Sequence, residues 1–114
     1  MAYEFKIVRV VEFNETDMAC IVHYANFFHY MEAAEHAFFR SLGFSIWTQG
    51  TEPPVGWPRV RATCAFESPA FYDDSIEIDV NIVRVGVRSL TLAFRIRRGQ
   101  QQLAHGEMKT VFCL

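Results

Sequence analysis

From Tyr24 to Leu42 the apolar residues Phe27, Tyr30, Met31, Ala34, Ala37, Phe38 and Leu42 recur at three- and four-residue intervals, and Gly43 follows. That period belongs to one face of an α-helix, and a glycine just past the last apolar position is a common stop. The pattern predicts a helix over Phe27–Leu42 that begins near Tyr24. His29, His36 and Arg40 fall on another side, with Glu32 and Glu35 flanking. Apolar residues take more than half of its girth, so the helix is expected to be wrapped by the rest of the chain.

The remainder changes period. Tyr3–Phe13 sets Phe5, Ile7, Val11 and Phe13 on one parity and Val8 and Val10 on the other, which predicts a strand buried on much of both faces. After Pro58, Val60, Ala62, Cys64 and Phe66 alternate with Arg59, Arg61, Thr63 and Glu67. The turn Phe71–Asp74 leads to Ile76, Ile78, Val80 and Ile82. Beyond Gly86 come Leu90, Leu92, Phe94 and Ile96, and after Gly99 a last strand from Gln101 to Phe112. Period two broken by turn residues reads as consecutive hairpins of an antiparallel sheet, apolar on one face. Between helix and strands lies a long connection, Phe44–Pro58, with Trp47 and Trp57 as apolar anchors. One strand, one long helix and four more strands define an α+β domain in which a five-stranded antiparallel sheet curls around a central helix.

At 114 residues, 51% hydrophobic and 21% charged, the chain is expected to form a single globular domain over 1–114. Eleven Phe, four Tyr and two Trp are many aromatics for one small core, so burial against a second copy is expected. A net charge of −2 argues against nucleic acid as the main partner. No apolar run reaches the roughly 20 residues needed to cross a bilayer, and Glu4, Lys6 and Arg9 interrupt the start, so no membrane association and a cytoplasmic location are expected. Cys20, Cys64 and Cys113 are odd in number and lack CxxC spacing, which points to reduced thiols and to neither a disulfide framework nor a zinc site.

The run Phe13–Asn26 places Asp17 and His23 just ahead of the helix start, where unpaired backbone N–H groups can receive an anion or a developing oxyanion. On residue type alone Asp17, like Thr16 or Asn14, more readily caps a turn or the coming helix. His23 reads either as a hydrogen-bonded structural histidine or as an acid–base group. Cys20, among apolar neighbours, reads as a small buried hydrophobe before it reads as a nucleophile. Arg84 and Arg88 flank Val85-Gly86-Val87 and fit either a solvent-facing hairpin or a phosphate-binding pair. Arg97 and Arg98, beside Gly99, read as an ordinary charged turn.

Glu12–Phe28, followed by Met31–Ala34 and closed by Leu42-Gly43, resembles the signature of the hotdog-fold acyl-CoA thioesterases, nearest the 4-hydroxybenzoyl-CoA thioesterase family. Glu67-Ser68-Pro69 and Tyr72-Asp73-Asp74 extend the likeness over nearly the whole chain. The resemblance implies hydrolysis of an acyl-CoA, with no metal or other cofactor, by a homodimer or homotetramer whose sheets join edge to edge. Asp17 falls on the family's catalytic carboxylate, nucleophile or general base, and the N–H near Tyr24 on the group that polarises the thioester carbonyl. Arg84 and Arg88 fall where a neighbouring subunit often holds the coenzyme A phosphates. Cys20 stands where the family usually has glycine, so its side chain would border the substrate, and the order His23-Tyr24 differs from the Tyr-His of the short-chain branch, leaving the imidazole free to orient water or substrate. A non-catalytic acyl-CoA-binding module on the same fold is the alternative. A dehydratase fits less well, since its helix signature is absent. The family's chains usually run on past the last strand, so an end at Leu114 is short by that pattern.

Overall fold

The computed structural model describes residues 4–43 and 58–112; the connection with Trp47 and Trp57 falls outside them. In chain order the elements are β1 (Phe5–Val10), a short 3-10 turn (Phe13–Glu15), α1 (Ala25–Ser41), β2 (Arg59–Phe66), β3 (Ser75–Val85), β4 (Ser89–Arg98) and β5 (Gln101–Val111). The strands form one sheet in the order β1-β3-β4-β5-β2, every neighbouring pair antiparallel. The sheet curls against α1 without closing into a barrel. This is the hotdog fold.

Alternation along the strands carries into the packing. Ile76, Ile78 and Val80 of β3 and Leu92, Phe94 and Ile96 of β4 are buried, with Ile78 opposite Ile96 and Val80 opposite Phe94. From α1 the buried stripe Phe27, Tyr30, Met31, Ala34 and Phe38 joins the same core, each large apolar side chain stabilising by about 1.5–3 kcal/mol. Gly43, at φ 92°, ends the helix in the left-handed conformation that glycine adopts without strain. Gly106 is small for a different reason. A Cβ there would lie 2.2 Å from the Thr63 carbonyl oxygen and 3.0 Å from Met31 Sδ, so its absence lets β2 and the helix approach β5.

Four expectations are corrected. β2 does not form a hairpin with β3; it crosses to the far edge and pairs with β5. The segment between them runs over the end of the sheet instead, where Ala70 O accepts the Val22 N–H at 2.9 Å and Phe71 bridges Ile21. β1 is buried on one face only, with Val8 57% and Val10 52% exposed, because α1 covers a single side of that edge. Leu42 completes the apolar period but is exposed, being past the last helical turn. Arg97 is no loose turn residue. It joins Arg95 in hydrogen bonding the nearly buried Asp79, at 2.6 Å and 3.0 Å, and those bonds outweigh the burial that pushes the Asp79 carboxyl up, so that it sits below its usual range.

One ion pair fastens the edge strand to the helix. Glu35 is 1% exposed, and its Oε1 receives Arg59 Nη2 at 2.5 Å, while Arg59 Nη1 lies 3.2 Å from Glu32 Oε2. Burial pushes the Glu35 carboxyl up despite the guanidinium beside it. Arg59→Met leaves that carboxylate buried with only the His36 ring, its Nε2 3.7 Å from Oε1, as a polar neighbour, a change worth about 3 kcal/mol. With the cation gone, the folded-state pKa of Glu35 moves further above the unfolded one, so the folded form gains relative stability as protons are added. Urea unfolding should show the largest deficit at pH 7 and a smaller one at pH 5; a pH-independent deficit contradicts the assignment.

Candidate functional site

Beyond β1 the chain makes a small hairpin that doubles back before α1. The His23 N–H donates to Glu15 O at 2.9 Å, Thr16 pairs with Val22, and the Asp17 N–H donates to Ile21 O at 2.9 Å. The bend between them is Asp17-Met18-Ala19-Cys20, closed by the Cys20 N–H on Asp17 O at 2.9 Å. Asp17 Oδ1 accepts the Ala19 N–H at 2.8 Å, so Asp17 caps its own turn. Among the described residues nothing pairs with its other carboxylate oxygen, and the residue is exposed.

The helix is capped by another residue. His23 Nδ1 accepts the Ala25 N–H at 3.2 Å, which places the ring proton of the neutral imidazole on Nε2. The Asn26 N–H donates to His23 O at 2.9 Å and the Phe27 N–H to Tyr24 O at 3.1 Å. With these three donors engaged, the Tyr24 N–H has no acceptor among the described residues. It stands at the positive end of a 17-residue helix dipole.

Asp17 lies on the ridge between two clefts. One, of about 400 Å³, is lined by Asp17, Ile21, Tyr24, Phe27, Phe66 and Ser68. The other, of about 770 Å³, is lined by Phe13, Thr16, Asp17, Met18, Cys20 and Tyr72. The smaller cleft is aromatic: Phe66 meets Phe27 and Tyr24 edge-on, at ring separations of 5.5 Å and 6.0 Å, and His23 stacks on Tyr24 at 4.6 Å. Asp17 and Tyr24 both line this cleft.

Cys20 is exposed at the rim of the larger cleft, contrary to the buried hydrophobe expected from its neighbours. It sits in a bend at φ 67°, a left-handed conformation proper to glycine. Arg84 and Arg88 are exposed at the β3–β4 turn. The Asp17 hairpin lies off the opposite end of β3, whose Ser75 pairs with Val10, roughly 30 Å away along the strand. One chain therefore does not bring these arginines to Asp17. Among the described residues, no group of three or more His, Cys, Asp or Glu side chains is placed to hold a metal.

Two residues here escaped the sequence reading. Tyr30 O–H donates to Glu15 Oε1 at 2.9 Å, and Asn26 Nδ2 donates to Glu15 O at 2.8 Å, so Glu15 braces the hairpin from below. A signal existed in part: a hydroxyl in the buried stripe of a helix must find a partner, and the acids ahead of the helix were among those that could supply one.

The geometry defines a hotdog-fold protein with a carboxylate and an open helix N-terminus at one apolar cleft. Residues 20–105 match the family model described as Thioesterase superfamily, and the chain belongs to that superfamily. It is thus a thioester hydrolase by family, with Asp17 just outside the matched span. A 4-hydroxybenzoyl-CoA thioesterase of Pseudomonas sp. (strain CBS-3) is 31% identical over 72% of this chain and 60% of its own. A solved gentisyl-coenzyme A thioesterase is 30% identical with a TM-score of 0.87, over 96% of this chain and 88% of that one. The structure of a hypothetical protein from Aquifex aeolicus superposes with a TM-score of 0.89 at 29% identity, over 96% and 88% of the two chains.

The strain at Cys20 is testable. Cys20→Gly removes a left-handed side-chain penalty of about 1 kcal/mol, partly offset by the freer unfolded chain. The urea midpoint should rise slightly for Cys20→Gly and fall for the β-branched Cys20→Val. The reverse order rules out backbone strain as the cost of a side chain there.

Proposed function

We propose that this protein hydrolyses an acyl-CoA thioester to the free acid and coenzyme A. The observation that carries the reading is that Asp17 and Tyr24, whose N–H is unengaged among the described residues, line one aromatic cleft in a chain of the thioesterase superfamily. The named relatives that act on hydroxylated aromatic acyl-CoAs support the substrate class.

The thioester carbonyl oxygen accepts the Tyr24 N–H, and the helix dipole stabilises the negative charge that builds there as the carbonyl carbon becomes tetrahedral. Asp17 delivers oxygen by one of two routes. As nucleophile its free oxygen attacks the carbonyl carbon, the C–S bond breaks, and water hydrolyses the resulting anhydride. As general base it takes a proton from water, which attacks directly. In both, the departing thiolate leaves as coenzyme A and takes up a proton. His23 lines neither cleft; with its Nδ1 committed to the helix and its ring stacked on Tyr24, it supports the helix start and does not touch the substrate. Cys20 borders the path to the site.

Arg84 and Arg88 serve from a neighbouring copy, where their charges receive the coenzyme A phosphates. A homodimer or homotetramer is the corresponding assembly. In support, among the described residues β2 is paired on one side only and leaves Val60 56% exposed. A cytoplasmic location fits this substrate, and no helix among the described residues is long and apolar enough to cross a membrane.

Asp17→Asn should lower kcat by about 100-fold or more, with folding and coenzyme A binding retained. Thiol release across aromatic and aliphatic acyl-CoAs measures it. Undiminished turnover in the variant removes Asp17 from the mechanism, and coenzyme A binding by the native protein without thiol release on any substrate favours a non-catalytic binding module.

A further inference from the structure

We infer that Glu15 and Tyr30 form a positioning clamp for this reaction: the Tyr30 hydroxyl, bonded to the Glu15 carboxylate, sets the turn that carries Asp17 against the open Tyr24 N–H. The inference rests on the roles given above to Asp17 and Tyr24.

Glu15 is the point where four parts of the chain are tied together. Its backbone oxygen accepts the His23 N–H at 2.9 Å and Asn26 Nδ2 at 2.8 Å, which holds the returning arm of the hairpin and the first turn of α1. Its carboxylate Oε1 accepts the Tyr30 O–H at 2.9 Å and the Glu12 N–H at 2.8 Å. Arg9 Nη2 of β1 lies 3.6 Å from Oε2, and the Arg9 guanidinium sits over the Tyr30 ring at 5.7 Å. Asp17 is two residues further along the same arm, and Tyr24 lies between the two residues bound to the Glu15 carbonyl. A shift of Glu15 therefore moves the acid and the donor relative to each other.

Tyr30 supplies the fixed end. It is 1% exposed, with its ring edge-on to Phe27 at 5.8 Å, so the hydroxyl is anchored in the core. Burial, then the hydrogen bond and charge of Glu15, push its pKa up, which keeps the hydroxyl a donor throughout the neutral range. Packing alone does not call for that hydroxyl, since phenylalanine fills the same space. Neither Glu15 nor Tyr30 lines the two clefts, so the pair acts through Asp17 and Tyr24 and not on the substrate. Reacting groups tolerate little displacement, about 1 Å being enough to cost roughly 100-fold in rate.

The test is thiol-release kinetics on the full chain with the acyl-CoA the native protein turns over fastest, normalised to the folded fraction read by circular dichroism at the assay temperature. Tyr30→Phe should lower kcat about tenfold with KM within about twofold of native. Glu15→Ala should lose at least as much, and adding Tyr30→Phe to it should cost nothing further, as expected of two groups acting as one unit. Glu15→Gln keeps an oxygen that accepts the hydroxyl and should recover most of the loss. The clamp is overturned by a Tyr30→Phe kcat within twofold of native, by a loss that only follows the folded fraction, or by losses that multiply in the double variant. Asp17→Asn, assayed alongside, separates the two possible failures. Full activity there removes the site reading and the clamp together, whereas an inactive Asp17→Asn beside a fully active Tyr30→Phe removes the clamp alone.

Discussion

How closely α1 lies against the sheet governs the rest of the molecule. The close approach at Gly106, with the Met31 sulfur and the Thr63 carbonyl both where a side chain would otherwise begin, seats the helix in the hollow of β3, β4 and β5. A helix seated that deeply buries its apolar stripe and its one inward acid, and Glu35 is tolerable there because Arg59 comes with β2. Core and edge strand are thus held by the same helix face. The helix axis fixed in this way determines where its first N–H groups point.

At that first turn the polar accounting is nearly complete. His23 engages the Ala25 N–H with its ring and the Asn26 N–H with its carbonyl, and the Phe27 N–H turns back to Tyr24 O. Among the described residues one donor, the Tyr24 N–H, and one Asp17 carboxylate oxygen are left over, and both residues line a cleft walled by aromatic rings. Unengaged polar groups beside an apolar wall are what a substrate with a polar reacting centre and an apolar tail completes. The site depends on what its own residues decline to bond.

Most of the fold was legible because period is a local property. The helix, the alternation in β3 and β4, and Gly43 as a stop need only neighbours three or four residues apart. Strand order was not legible. Nothing in Arg59–Phe66 says that its partner is β5 and not the next strand, since the choice depends on where Ala70 and Phe71 dock, and they dock on Ile21 and Val22 across the fold. At the site, Asp17 could be found as an acid before a helix, but its residue type more readily suited a cap, and it is in fact a cap for its own turn. The left-handed backbone at Cys20 hid behind a residue that ordinarily signals burial. The Glu15–Tyr30 contact hid because it joins a turn to a helix face fifteen residues on.

The remote place of β2 also bears on how the chain is assembled in time. β3, β4 and β5 each meet the next through a short turn, so that sheet can grow as it is made, with β1 already waiting for β3. β2 is synthesised before all three and pairs with the last of them. Until Gln101–Val111 has emerged it has no strand to join, and its Val60 and Phe66 stay open to whatever meets them first. The strand that completes the far edge of the sheet is therefore laid down well before the partner that receives it.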